Sequence, residues 1–172
     1  IEIARTVCKE LHFDTRGKHY FGIGFPNIAG GYEIRNPFFK GCIAPKDISH
    51  FYAEEPKNVC FVFEGFMDFL SFMTLRRKEN DGLRRQDYLV LNSVSNIQKA
   101  LERLSQYDSI LCFLDNDEAG RNAYLQLSKE LGKSVTDAST LYNGYKDLNE
   151  YLCAEAKHSE KAEVKKAKGI KL

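Results

Sequence analysis

Between residues 57 and 153 the chain repeats one pattern: a short apolar run, a turn, then a longer stretch with apolar residues at helical spacing. Val59–Phe63 is continuously apolar, as expected of a strand buried on both faces of a sheet. Phe66–Arg76 follows with helical character, and Tyr88–Leu91 predicts a second strand. Asn96–Leu104 predicts a second helix with Ser95 placed to cap it. Ser109–Leu114 is a third apolar strand, and Ala119–Leu131 a third helix stopped by Gly132. Ser134–Thr136 closes the series as a fourth strand. Strands and helices in strict alternation imply a parallel sheet with helices on both faces.

The first 56 residues read differently. Ile3, Val7 and Leu11 recur at helical spacing and predict an opening helix over Ile3–Leu11. Short apolar pieces then alternate with turn residues: Tyr20–Phe25, Gly30-Gly31, Tyr32–Ile34, Asn36-Pro37, Gly41–Ile43 and Pro45. That is the pattern of short antiparallel strands joined by tight turns. Lysines and arginines are interleaved with aromatics here. At the other end, Lys157–Leu172 carries six lysines and few apolar residues, which predicts a marginal helix or a frayed tail. The expected division is 1–56, 57–153 and 154–172.

Composition narrows the class only slightly. Apolar residues make up 43% and charged residues 28% of 172, the ordinary range of a globular domain. No apolar run reaches membrane-spanning length, and no signal pattern opens the chain, so a cytoplasmic location is expected. The chain begins at Ile1, which suggests a fragment of a longer protein. The net charge of +1 neither requires nor forbids a nucleic acid partner, because opposite charges can occupy different faces. Five cysteines, at 8, 42, 60, 112 and 153, are scattered and odd in number. They fit reduced thiols better than disulfides or a zinc site.

The candidate chemistry lies at two strand ends. Glu64-Gly65 directly follows Val59–Phe63, and Asp115-Asn116-Asp117 directly follows the apolar strand that ends at Leu114. In open parallel sheets, ligands bind beyond the C-terminal ends of the strands. Gly65 permits a sharp turn and close approach, and Asp68 lies one helical turn further on. Carboxylates gathered at one edge repel unless a cation sits among them. Such an oxygen-rich set suits Mg²⁺, with phosphate groups completing its shell. The competing readings are that Glu-Gly is a turn, that Asp68 is a solvated helix residue, and that the Asp pair caps a helix.

These motifs resemble the Toprim family. The resemblance rests on Glu64-Gly65-Phe66-Met67-Asp68 and on Asp115-Asn116-Asp117-Glu118-Ala119-Gly120-Arg121, and within the family it is nearest to bacterial primases. Lys146-Asp147-Leu148-Asn149-Glu150-Tyr151-Leu152 is similar to a later acidic motif, with Asn149 standing where primases usually carry Asp. Residues 20–50 are loosely similar to the small subdomain that precedes the fold in primases. The resemblance implies an α/β Toprim fold of Rossmann-like kind. It would have a parallel four-stranded sheet flanked by helices, preceded by a small α+β N-terminal subdomain.

The function implied is Mg²⁺-dependent nucleotidyl transfer on a nucleic acid template, the synthesis of RNA primers in replication or mobilisation of a mobile element. The implied catalytic residues are Glu64, Asp115 and Asp117. Glu64, Asp68, Asp115, Asp117 and Asp147 would be metal ligands, with Mn²⁺ able to replace Mg²⁺. Arg35, Lys40, Lys46 and Arg121 would hold the template backbone. The expected partners are single-stranded DNA and nucleoside triphosphates, with a helicase or mobilisation proteins as further candidates and no membrane. A Toprim nuclease and a non-catalytic binding module of the same fold are the alternatives. A topoisomerase fits less well, since none of the nine tyrosines stands out as its nucleophile.

Overall fold

The computed structural model describes residues 2–76, 85–132 and 134–169; the side chains of Ser134 and of 160–169 lie outside that description. A short helix α1 (Glu2–Val7) leads into β1 (Lys9–Thr15), β2 (Lys18–Pro26), β3 (Tyr32–Arg35) and β4 (Lys40–Ile43). These four strands form an antiparallel meander in chain order. The expected helix over Ile3–Leu11 therefore stops at Val7. Leu11 belongs to β1, opposite Gly22, because the alternation Leu11, Phe13 fits a strand and β2 offers it a partner. Arg16 and Gly17 both have positive φ, the conformation of a two-residue hairpin turn whose twist matches the strands it joins.

The second sheet has the strand order β5-β7-β6-β8-β9. Its strands are β5 (Ser49–Phe51), β6 (Val59–Phe63), β7 (Asp87–Val90), β8 (Ser109–Phe113) and β9 (Ser134–Asp137). Strands β6 to β9 run parallel, as expected, and β5 adds an antiparallel edge. A chain of hydrogen bonds at the far end of the sheet holds that edge. Tyr107 donates to Asp87 at 2.6 Å, His50 lies 3.0 Å from the Tyr107 hydroxyl, and Ala53 N donates to Asp87 at 2.7 Å.

Helices cover both faces. Alternate residues of each central strand enter two separate cores, which explains their unbroken apolar sequence. Cys60 and Val62, Leu89 and Leu91, Ile110 and Cys112 face α3 (Ile97–Leu104) and α4 (Glu118–Leu131). Phe63, Tyr88, Val90 and Phe113 face α2 (Phe66–Arg76). That second core is largely aromatic: Phe63 stacks on Phe113 at 5.1 Å and Phe72 lies 4.8 Å from Phe113. Phe25 of β2 stacks on Phe66 of α2 at 5.1 Å, so the same aromatic core joins the two sheets. The last helix, α5 (Leu148–Gly169), packs beside α2. It continues through the lysine-rich segment expected to be marginal; residues 170–172 lie outside the described residues.

Two local features set up the loops above the sheet. A 3₁₀ turn, Val94–Asn96, precedes α3, and the capping side chain is Ser93 rather than Ser95, accepting from Ser95 N. At the start of α4, Asp117 is the N-cap and accepts from Gly120 N at 3.0 Å. A Cβ on Gly120 would lie 2.1 Å from the Asp115 carbonyl oxygen, so the loop folds back onto the first turn of the helix at a place only glycine allows.

Alanine normally stabilises a helical glycine site by about 1 kcal/mol. The steric clash reverses that sign here, and Gly120→Ala is expected to lower stability by about 1–3 kcal/mol in chemical denaturation. A stabilised variant would show that the backbone contact is not a real constraint.

Candidate active site

The chain order places the site. From β6 the chain moves outward to β7 and then returns to the other side of β6 with β8. Neighbouring strands β6 and β8 therefore lead into connections that diverge, the kind of switch point where α/β sheets bind ligands. Glu64 ends β6 there and Asp115 follows β8, and Asp115 N donates to Glu64 Oε2 at 3.4 Å. The two acidic motifs are side by side.

A cleft of about 740 Å³ opens over this point, between the second sheet and the first. Glu64, Asp68, Asp115 and Asp147 line its floor, and Glu33, Arg35, Lys40 and Lys46 come from the opposite side. Of the expected ligands, Asp68, Asp115 and Asp147 each present an oxygen within 4.8 Å of the others. Asp68 is 8% exposed, so it belongs to the site and not to a solvated helix surface. Gly65 leaves room for it: a Cβ there would lie 3.3 Å from Asp68 Oδ2. Asp117 lies outside the ring and the cleft lining: its Oδ1 caps α4, and its Oδ2 lies 3.9 Å from the Lys146 ammonium. Arg121 is also outside the lining, and its guanidinium donates to the Asn116 carbonyl at 3.2 Å.

Asn116, the middle residue of the acidic motif, brings the third acid in. Its amide lies 2.9 Å from the Tyr145 carbonyl oxygen and within 3.5 Å of those of Tyr142 and Ser139. Its backbone N–H donates to Lys146 O at 2.7 Å. Tyr142 completes the attachment by donating to Leu114 O at 2.7 Å. The segment before α5 is thus fastened to the end of β8, and Asp147 reaches Asp115. Asn149, which departs from the primase pattern, uses its backbone N–H to donate to Asp68 Oδ1 at 3.2 Å and its amide oxygen to accept from Ser71.

Lys146 was not expected from sequence as a site residue. Its ammonium lies 3.2 Å from Asp115 Oδ2 and 3.9 Å from Asp117 Oδ2. A lysine next to the later acidic motif was the available signal. Asn92 and Ser93, which follow β7, also line the cleft, as loops after parallel strands do.

Burial, reinforced by the neighbouring Asp115, pushes the Glu64 carboxyl up to about 7. Burial together with Asp147 and Asp115 pushes Asp68 up to about 7. Asp115 is also raised by burial, with Lys146 opposing the shift. Three half-buried or buried acids, each raised first by burial and further by neighbouring carboxylates, form a set that a divalent cation would relieve. The residues present therefore fit a bound metal ion.

The site is a carboxylate-lined cleft at the switch point of a mostly parallel sheet. A Toprim-like family model matches residues 61–152, and the chain belongs to that family. Residues 1–44 match a second family, described only as a domain of unknown function. The fold is similar to the primase fragment of the bacteriophage T7 primase-helicase protein, at 22% identity and a TM-score of 0.60 over 88% of this chain. It is also similar to a chain in a T7 complex of lagging-strand DNA polymerase with primase domains bound to an RNA/DNA hybrid and dTTP. That match has 18% identity and a TM-score of 0.61 over 92% of this chain and 82% of the other. The chain spans 63% of the length of the T7 primase fragment. No curated protein matches it. Among the described residues no helix is long and apolar enough to cross a membrane.

The raised carboxyls link stability to pH. Unfolded carboxyls titrate near about pH 4, so between about pH 4 and 7 the folded chain retains protons that the unfolded chain has released. Stability then falls as pH rises through that window. Metal-free protein is expected to melt at lower temperature at pH 8 than at pH 5, with a shallower trend in Asp68→Asn. Divalent cation at pH 8 is expected to restore part of the loss. A flat or rising profile in thermal melts would contradict the burial of these acids.

Proposed function

We propose that this chain is the catalytic core of a primase-type nucleotidyl transferase that extends an RNA chain on single-stranded DNA. The observation that carries the reading is the convergence of Asp68, Asp115 and Asp147 beneath a wall bearing Arg35, Lys40 and Lys46. In this reading the first sheet, within 1–56, supplies the template-holding wall. Residues 57–153 carry the chemistry, and 154–172 continue the last helix. The T7 relative is a primase-helicase protein, which makes a helicase the partner of choice.

Asp68, Asp115 and Asp147 would hold the cation, Mg²⁺ or its substitute Mn²⁺. When bound, it supplies charge neutralisation for the triphosphate and polarises the phosphorus under attack. Arg35, Lys40 and Lys46 hold phosphates of template and nucleotide, which positions them without reading sequence. A 3′-hydroxyl oxygen forms the new bond to the α-phosphorus, the bond to pyrophosphate breaks, and the hydroxyl proton passes to Glu64. A carboxyl that titrates near neutral pH is well suited to accept it. Asp117 contributes by fixing the start of α4, and Arg121 by bracing the loop through Asn116, so neither is given a direct role with substrate.

Primer synthesis from ribonucleoside triphosphates on single-stranded DNA, followed by gel electrophoresis, tests the reading. Glu64→Gln and Asp115→Asn are each expected to lower product formation by about 100-fold or more, in line with losing a proton acceptor or a charge-stabilising group. Cleavage of the DNA without any triphosphate requirement would point to a nuclease, and unchanged activity in Glu64→Gln would remove Glu64 from the chemistry.

Phosphate contacts also set salt dependence. Each of Arg35→Ala, Lys40→Ala and Lys46→Ala is expected to weaken single-stranded DNA binding and to reduce the log Kd–log salt slope by about 0.7, the single-strand value per contact. Fluorescence anisotropy at several salt concentrations measures it. An unchanged slope in all three would place the template elsewhere.

A further inference from the structure

Asp115 belongs to the ring with Asp68 and Asp147 and also carries an ion pair with Lys146. Asp115 Oδ2 lies 3.2 Å from the Lys146 ammonium, and that ammonium is 3.9 Å from Asp117 Oδ2. The backbone of Lys146 is fixed on both sides. The Lys146 carbonyl accepts from Asn116 N at 2.7 Å, and the Lys146 N–H donates to Glu150 Oε2 at 2.7 Å. Its backbone is thus fixed between the acidic loop after β8 and the first turn of α5. A cation is delivered to the two aspartates by the same clamp that delivers Asp147 to the ring. Hard divalent cations that work in pairs on phosphates commonly sit about 4 Å apart and share a carboxylate. Asp115 is placed to be shared, and one of the two cation positions is filled by the chain itself.

We infer that Lys146 is a built-in second cation: its ammonium occupies the position between Asp115 and Asp117, leaving a single divalent ion to bind in the Asp68–Asp115–Asp147 ring. The inference rests on the proposed metal-dependent reading of this site and deepens it. A compact ammonium can serve as a point charge against phosphate while binding no water ligands of a metal. Its side chain is 60% exposed and lines the cleft, so the head can turn from the aspartates to a substrate phosphate without unfolding anything. Lys146 is here a positioning charge and not a metal ligand, and the site needs one divalent ion fewer than its acids suggest.

The test is Mn²⁺ binding to the full chain, followed by electron paramagnetic resonance and by calorimetry, in the wild type, Lys146→Met and Lys146→Arg. One Mn²⁺ per chain is expected in the wild type and in Lys146→Arg, and two in Lys146→Met, the two ions broadening each other's resonance. Two ions in the wild type would overturn the inference and leave the metal-dependent reading standing. A single ion in Lys146→Met, even a tighter one, would do the same, because it would make Lys146 a competitor for one site. No Mn²⁺ in any of the three would overturn both. Circular dichroism of Lys146→Met shows whether the fold is intact, and Lys146→Ala repeats the stoichiometry if it is not.

Discussion

Everything at this site depends on holding together carboxylates that repel one another. Asp68, Asp115 and Asp147 come from three different parts of the chain and converge within 4.8 Å. Nothing in their own chemistry favours that meeting. Three devices offset the repulsion. The first is positional: the acids sit at or near the first turns of α2, α4 and α5, where helix N-termini carry partial positive charge. The second is protonation, which keeps Glu64 and Asp68 partly neutral near pH 7. The third is Lys146. All three are partial, and a divalent cation would complete the compensation.

Asn116 is what makes the convergence structural. A sheet edge alone brings Glu64 to Asp115, because β6 and β8 are neighbours. Asp147 has no strand to deliver it. The Asn116 amide, facing carbonyls of the segment that precedes α5, fixes that segment against the end of β8. The polar middle residue of the motif therefore does architectural work while the acids on either side divide the remaining tasks. Asp115 faces the cleft, and Asp117 closes the end of a helix.

Much of this was legible in the residues. Val59–Phe63 and Phe66–Arg76 are a strand and a helix with the boundaries the pattern predicts, because two buried faces require an unbroken apolar run and a helix end needs no further specification. The opening segment was less legible. Ile3, Val7 and Leu11 satisfy a helical period, but Leu11 and Phe13 equally satisfy a strand, and only the presence of β2 decides between them. The antiparallel strand β5 was hidden for the same reason: three residues carry no period, and its place comes from pairing with β7. The burial of Asp68, which the competing reading placed on a solvated helix surface, depends on α5 packing beside α2, with a hydrogen bond from a residue 81 positions away that no local pattern announces.

Asn149 illustrates how far the acid count can be pushed. It stands where the resemblance to primases would put an aspartate, and its neutral side chain accepts from Ser71 while its backbone N–H serves Asp68. An aspartate there would stand beside a carboxyl already raised to about 7 by burial and by two other acids. Its charge would have to be compensated by a second divalent ion, by a further proton, or by a cation from the chain. Lys146 is already engaged with Asp115 and Asp117. A neutral residue at 149 and a lysine at 146 are then two halves of one arrangement: fewer negative charges on the side of Asp68, and a resident positive charge on the side of Asp117. In the proposed reading, such a site would balance its charge around a single divalent ion.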